Sequence, residues 1–271
     1  QDAMDGIDFL PLTVDYQEKY ASTGKFPGGF FKREARPSEN EILTARLVDR
    51  ALRPLFPDDY HADTQVMISL ISSDKEHLPD SLACLAASAA ISVSNIPFNG
   101  PVSEVRVARI NGRLEINPRY ELLKNADIDL IVAASDDSIV MVEGEMQEVS
   151  EADMLEAIKT AHAAIKVQIN ALRELAAMIP AASPKRTYNH ETHDPVLREK
   201  VNSFCYNKLL DVARSRTADK KLRSDNFKAI KEEFVASLSA EEAAAGKALI
   251  GRYFHDAEKK AVRQVMLTEK V

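Results

Sequence analysis

Two aromatic rings followed by two cations, Phe30-Phe31-Lys32-Arg33, stand after a run with three glycines and a proline between Gly24 and Gly29. Adjacent side chains point apart on an extended chain, so both rings cannot bury together easily. Rings exposed beside cations suit single-stranded nucleic acid: bases stack on the rings while Lys and Arg neutralise phosphates. The competing reading is an ordinary loop whose phenylalanines anchor it to a core, and four residues do not decide between the two. Arg36 extends the basic run. Arg46, Arg50 and Arg53 follow at steps of four and three, which on a continuous helix would put them on one face. Such a face could hold a polyanion, or it could be solvated with Glu39, Glu41 and Asp49 as partners.

Other chemistry is less well supported. His190-Glu191-Thr192-His193 places two histidines three residues apart, but no HExxH order exists and the segment lies beside a turn-rich stretch. Asp136-Asp137 fits a turn. Asp127 and Asp129, with Glu143 and Glu145, are spaced like the outward faces of strands and give no metal pair. No Walker loop, GxGxxG or nucleophile elbow occurs. His162 reads as a core or boundary residue of a long helix.

The elements that must hold these residues are legible. Leu12 to Tyr16 alternates like a short strand. Ser38 can cap a helix whose Glu41 completes a capping box, and Pro54 ends it near Arg53. Gln65 to Ser72 reads as a buried strand, and Pro79-Asp80 opens an Ala-rich helix to about Val93. Asn111-Gly112 between alternating runs marks a hairpin with a type I′ turn. A second hairpin pairs Ile128–Ala134 with Ile139–Val142. An amphipathic helix runs from Ser150 to about Met178, with Leu155, Ile158, His162, Ile165, Ile169, Leu172 and Leu175 on its repeat. After Pro180-Ala181-Ala182-Ser183-Pro184 strand signals cease, and 194–214, 224–238 and 240–268 read as helices. The chain is therefore an α/β domain followed by a small all-α domain.

Composition sets the frame. The 271 residues, 45% hydrophobic, can build one good core or two modest ones. Net charge is −7, so a global charge argument for nucleic-acid binding fails. The distribution is uneven: residues 181–271 carry 18 Lys+Arg against 13 Asp+Glu, and residues 25–53 carry seven against four. Cys84 and Cys205 lie far apart without CxxC spacing, which argues against a disulfide framework or zinc site and fits a reducing cytoplasm. No apolar run is long enough to span a bilayer. The opening Gln1-Asp2-Ala3-Met4-Asp5-Gly6 reads as turn chemistry entered between two strands.

Taken together, four stretches closely resemble bacterial polynucleotide phosphorylases. They are Phe9 to Tyr16 (FLPLTVDY), Gly24 to Glu34 (GKFPGGFFKRE), Arg36 to Glu39 (RPSE) and Arg50 to Pro57 (RALRPLFP). Pro97-Phe98-Asn99-Gly100-Pro101, the hairpins and the helical tail extend the resemblance over essentially the whole chain. It implies an α/β (α+β) RNase PH-like domain with ribosomal-protein-S5-domain-2-like βαβ layers over 1–180, lacking its opening strands. A linker at 181–184 and an all-α module over 185–271 would follow.

It also implies phosphate-dependent 3′→5′ degradation of single-stranded RNA to nucleoside diphosphates, reversible as 3′ polymerisation. The implied co-substrate is inorganic phosphate, the cofactor Mg²⁺, and the assembly a cytoplasmic homotrimer with a central channel and no membrane contact. An RNA helicase or endoribonuclease is the expected partner in a degradation complex. On the matching positions, Phe30, Phe31, Lys32 and Arg33 would line the channel, and Arg36, Arg46, Arg50 and Arg53 would lie along the RNA path.

The stretch Ser72 to Ser81 lacks the serine cluster that the family's second domain uses for phosphate, and the Ile128–Val142 hairpin lacks paired inward aspartates. No catalytic group and no metal ligand is therefore expected in this chain, which would contribute RNA contacts. The alternative is a standalone, non-catalytic RNA-binding subunit of an exosome-like ring.

Overall fold

The computed structural model describes residues 3, 7, 9–19, 22, 24, 36–74, 76–190 and 193–269, apart from the side chain of residue 245. It divides into two compact units, Gln1–Glu191 and Thr192–Val271.

The first unit begins with a parallel pair, β1 (Leu12–Glu18) and β2 (Thr64–Leu70), joined through helix α1 (Glu39–Leu52). Helix α2 (Asp80–Ser92) follows. A four-stranded antiparallel sheet comes next, in the order β4 (Arg113–Ile116), β3 (Ser103–Ile110), β5 (Ala126–Ala134), β6 (Ile139–Met146). Helix α3 (Tyr120–Leu123) sits between β4 and β5, and the 28-residue α4 (Glu151–Met178) follows β6.

Strand β5 explains the layering. Its period of two sends Ile128, Leu130, Val132 and Ala134 to one face and Asp129, Ile131 and Ala133 to the other. The first set packs with Val105 and Val107 against Ala157, Ala161, Ile165 and Ile169 of α4. Ile131 and Ala133 join Met141 in a second core with β1, β2, α1 and α2. Alanines on α2 and α4 let the helices approach the strands closely, so β5 is buried on both faces over most of its length. The two hairpins form as their turn residues dictate: Asn111 and Gly112 both have positive φ, 51° and 75°.

The helical unit contains α5 (Pro195–Arg214), α6 (Lys220–Ala236), α7 (Ala240–Ala245) and α8 (Lys247–Glu269). Val201, Cys205 and Leu209 meet Phe227, Ile230, Phe234, Ile250, Phe254 and Ala261 in its own core. Asp194 caps α5 by accepting from Leu197 N at 2.9 Å. Helix α6 starts four residues earlier than its apolar pattern suggests, because Asp219 accepts from the backbone N–H groups of Lys221 and Leu222.

The expected linker at 181–184 does not separate the units. A 3-10 turn spans Pro180–Ala182, and the chain beyond it stays on the first unit. Lys185 Nζ donates to the carbonyls of Ser92 and Ser94, and Tyr188 Oη donates to Asp59 at 2.5 Å. Turn-forming composition marks a loop, and these tertiary partners keep the following residues in the first body. Cys84 and Cys205 are both free and buried. Among the described residues no helix is long and apolar enough to cross a membrane.

Candidate nucleic-acid interface

The ends of β1 and β2, one side of α1 and the sheet face bearing Asp129 enclose a cleft of about 1050 Å³. Its floor comes from β3 and β5. Arg106 donates through one terminal nitrogen to Asp129 at 2.6 Å and through the other to Asp80 at 2.5 Å. Burial works against the charge on Arg106, but Asp80 and Asp129 outweigh it and raise its pKa above the ordinary value. Asp129 thus departs from the outward placement read from strand spacing: at the sheet's end its face turns into the cleft, where Arg106 neutralises it. Asp127 keeps a more exposed place, bonded by Arg109 through two nitrogens at 2.8 Å each.

Helix α1 forms one wall, and its start is fixed locally. Ser38 Oγ accepts from Glu41 N at 3.2 Å, and Glu41 returns a carboxylate oxygen to Ser38 N at 2.6 Å. The other Glu41 oxygen accepts from Glu18 N at 2.7 Å, tying α1 to the end of β1. Burial pushes the Glu41 carboxyl upward, but the Ser38 and Glu18 N–H donors prevail and hold it below the ordinary range.

This wall brings Arg36, Arg46 and Arg50 to the cleft. Arg50 reaches across to Glu143 of β6 at 2.8 Å. Arg36 and Arg46 make no ion pair with a described residue. Arg53 goes elsewhere. Helix α1 ends at Leu52, and Arg53 opens a 3-10 turn with Pro54. Its guanidinium donates twice to Asp49 and also to the carbonyls of Leu10 and Leu12, bracing β1. Phe30, Phe31, Lys32 and Arg33 lie outside the described residues.

Sequence reading missed three contributors. Lys19 adds a cation to the cleft, and His77 and Tyr120 stand along it. His77 Nδ1 lies 2.6 Å from Asp74 Oδ2. The His77 ring, then backbone N–H groups of His77 and Glu76, pull Asp74 down to about 2. None of these belongs to a motif, and their only sequence signal is side-chain type.

His190 and His193 belong to different units. His190 Nδ1 accepts from His61 N at 2.9 Å, and its ring packs near those of Tyr60 and Tyr188. His162 bonds the Ser135 carbonyl at 3.0 Å from the long helix.

Among known proteins, the model for the 3′ exoribonuclease family, domain 1, matches residues 2–97, and domain 2 of the same family matches residues 100–164. The chain belongs to the 3′ exoribonuclease family. The family's two domains meet between α2 and β3, so the cleft is walled by residues of both. Residues 196–271 match the RNA binding domain model of polyribonucleotide nucleotidyltransferase. The mixed α/β layers of the chain are RNase PH-like, and a helical region follows them.

Similar proteins include the polyribonucleotide nucleotidyltransferase of Cytophaga hutchinsonii, 55% identical over 270 residues, covering 100% of this chain and 37% of that protein. That of Bacteroides fragilis is 56% identical over 269 residues, covering 99% and 38% respectively. The Azobacteroides pseudotrichonymphae protein is 52% identical over 266 residues, covering 98% of this chain and 37% of its own length. The chain thus spans a little over a third of these relatives.

Proposed function

We propose that this chain is the first RNase PH-like portion, with its helical module, of a phosphate-dependent 3′→5′ exoribonuclease, and that it grips single-stranded RNA for chemistry carried out by other groups. The observation that carries this reading is the pair Arg36 and Arg46: two guanidinium groups on the rim of a cleft, without carboxylate partners among the described residues. Arginines left open in a cleft are available for phosphates. Phe30, Phe31, Lys32 and Arg33 precede Arg36 in the chain and would extend the same grip, with bases on the rings and phosphates on the cations. Arg50 would contribute once RNA competes with Glu143, whereas Arg53 would act by holding β1.

In the proposed reaction inorganic phosphate attacks the phosphorus of the 3′-terminal phosphodiester. The bond from that phosphorus to the preceding 3′ oxygen breaks. A nucleoside diphosphate leaves, and the shortened RNA keeps a 3′-hydroxyl, so the step is reversible. The carboxylates beside Arg106, Arg109 and the start of α1 are already taken by cations and N–H groups and do not fit a Mg²⁺ site. Asp80 and Asp129 serve Arg106, Asp127 and Asp153 serve Arg109, and Glu41 serves two N–H groups. No described group of three His, Cys, Asp or Glu side chains could hold a metal. Metal assistance would therefore be supplied by residues other than these. A homotrimeric, cytoplasmic enzyme working with an RNA helicase or endoribonuclease belongs to the same proposal.

Two measurements test it. With phosphate and oligo(A), the 271-residue chain alone should release no ADP above background; sustained turnover would overturn its assignment as a non-catalytic portion. The triple variant Lys32→Ala, Arg33→Ala, Arg36→Ala should bind RNA more weakly, to a similar degree across sequences. Its affinity should also depend less steeply on salt, the log–log slope flattening by about 0.7 for each phosphate that is no longer neutralised. A strongly sequence-dependent weakening would contradict a phosphate grip.

A further inference from the structure

We infer that Tyr120 is a base-stacking platform at the mouth of the cleft, taking one unpaired base of single-stranded RNA whose phosphates meet the α1 arginines. This rests on the RNA reading above and names how the same site would recognise its substrate. Among the described residues that line the cleft, Tyr120 is the only phenylalanine, tyrosine or tryptophan. It is 55% exposed. Its ring makes no stacking or cation–π contact with a described residue, so the structure uses it for no packing task that would explain a ring left in water.

The backbone beneath the ring is held firmly. Tyr120 N donates to the Glu76 carbonyl at 2.8 Å. Asn117, three residues before, adopts a left-handed φ of 48°. Its side-chain oxygen accepts from Arg106 N at 2.8 Å and from Ser81 Oγ at 3.3 Å, tying the turn to β3 and α2. Arg119 pairs with Glu76 at 3.3 Å. A flat apolar surface is thus presented from a fixed turn, in the same cleft as Arg36 and Arg46. Stacking needs an exposed base face, which every unpaired base offers and a duplex hides within its own stack. The platform therefore selects single strands over duplex without selecting among bases.

The chain contains no tryptophan, so Tyr120→Trp would carry its only indole. Binding of fluorescently labelled oligo(A) and oligo(U) to the 271-residue chain should weaken roughly tenfold in Tyr120→Ala and stay near wild type in Tyr120→Phe. Emission from Tyr120→Trp should be quenched on adding single-stranded RNA, and much less by duplex of equal phosphate concentration. If wild type binds RNA while Tyr120→Ala binds equally well, or the indole is unquenched at saturation, the stacking inference is overturned. If wild type binds no single-stranded RNA, the reading beneath it is overturned as well.

Discussion

The floor and the rim of the cleft carry the same side chain in opposite circumstances. On the floor, Arg106 has a side chain only 16% exposed and two carboxylates within 2.6 Å. Nearby, Arg109 binds Asp127 and Asp153. On the rim, Arg36 and Arg46 have no described carboxylate partner, and Arg50 has one exposed Glu143. A guanidinium with its fork filled by carboxylates is committed to the fold, and one whose fork stays open can take a phosphate. Counting arginines would treat all five alike. Their partners divide them into arginines bound between two carboxylates and arginines with one carboxylate or none among the described residues.

That division breaks most visibly at Arg106. Arg106→Ala would leave Asp80 and Asp129, with side chains 13% and 20% exposed, facing each other without the cation between them. Removing one partner of a buried ionic cluster costs about 3–5 kcal/mol. Urea unfolding should show that loss. A loss within about 0.5 kcal/mol, the usual range for surface substitutions, would place Arg106 with the rim instead.

A buried carboxyl on the same sheet face sharpens the contrast. Glu104 is fully buried, and neither of its carboxyl oxygens has a hydrogen-bond partner with usual geometry among the described residues. Burial, then the neighbouring Asp80, pushes its pKa up from 4.5 to about 8. Cys84 and the guanidinium groups of Arg106 and Arg50 act in the opposite direction without prevailing. The folded protein therefore keeps a proton that an unfolded chain releases near 4.5. The resulting stabilisation is complete below that pH and is lost as pH rises through about 8. Unfolding free energies should fall across that interval by up to about 1.4 kcal/mol per pH unit. Glu104→Gln should flatten the slope; an unchanged slope would move the effect to another group. The carboxyls of Asp127 and Asp153 are held low, chiefly by hydrogen bonds from Arg109 and Ser150, so they act at more acid pH.

The local elements were legible because their causes are local. Ser38 and Glu41 announce the start of α1, Asn111-Gly112 announces the first hairpin, and the repeat from Leu155 to Leu175 announces α4. Partner choice was not legible, because it joins residues far apart in the chain. Arg106 reads only as part of an alternating strand, and its carboxylates come from α2 and β5. Arg53 fits the spacing of Arg46 and Arg50, but α1 stops one residue before it, and the Leu10 and Leu12 carbonyls draw its guanidinium away. Residues 185–190 follow a proline-rich turn and read as part of the next domain. Their fixed place on the first unit depends on the Ser92, Ser94 and Asp59 acceptors, which no local pattern reveals.

On the rim, stability and binding should separate. Arg46→Ala should leave unfolding within about 0.5 kcal/mol of wild type, since no described ion pair is removed. It should still weaken RNA binding and lower the salt slope by about 0.7. A destabilised Arg46→Ala protein would show that this arginine is structural after all.

The smallest effect on RNA binding belongs to the cap that starts the rim helix. Ser38→Ala removes the acceptor for Glu41 N, and losing such a cap costs about 1 kcal/mol. Glu41 would keep its bond from Glu18 N, so β1 and the helix remain tied. Arg46 lies about two turns beyond the cap, on a helix whose Leu47, Val48, Ala51 and Leu52 are buried in the core. Its guanidinium should therefore stay in place, and RNA affinity should change by less than about twofold even as the melting temperature drops. If Ser38→Ala instead weakens RNA binding as much as Arg46→Ala does, the grip depends on how the chain from Phe30 to Arg36 enters the helix, and recognition is shared between that segment and the rim.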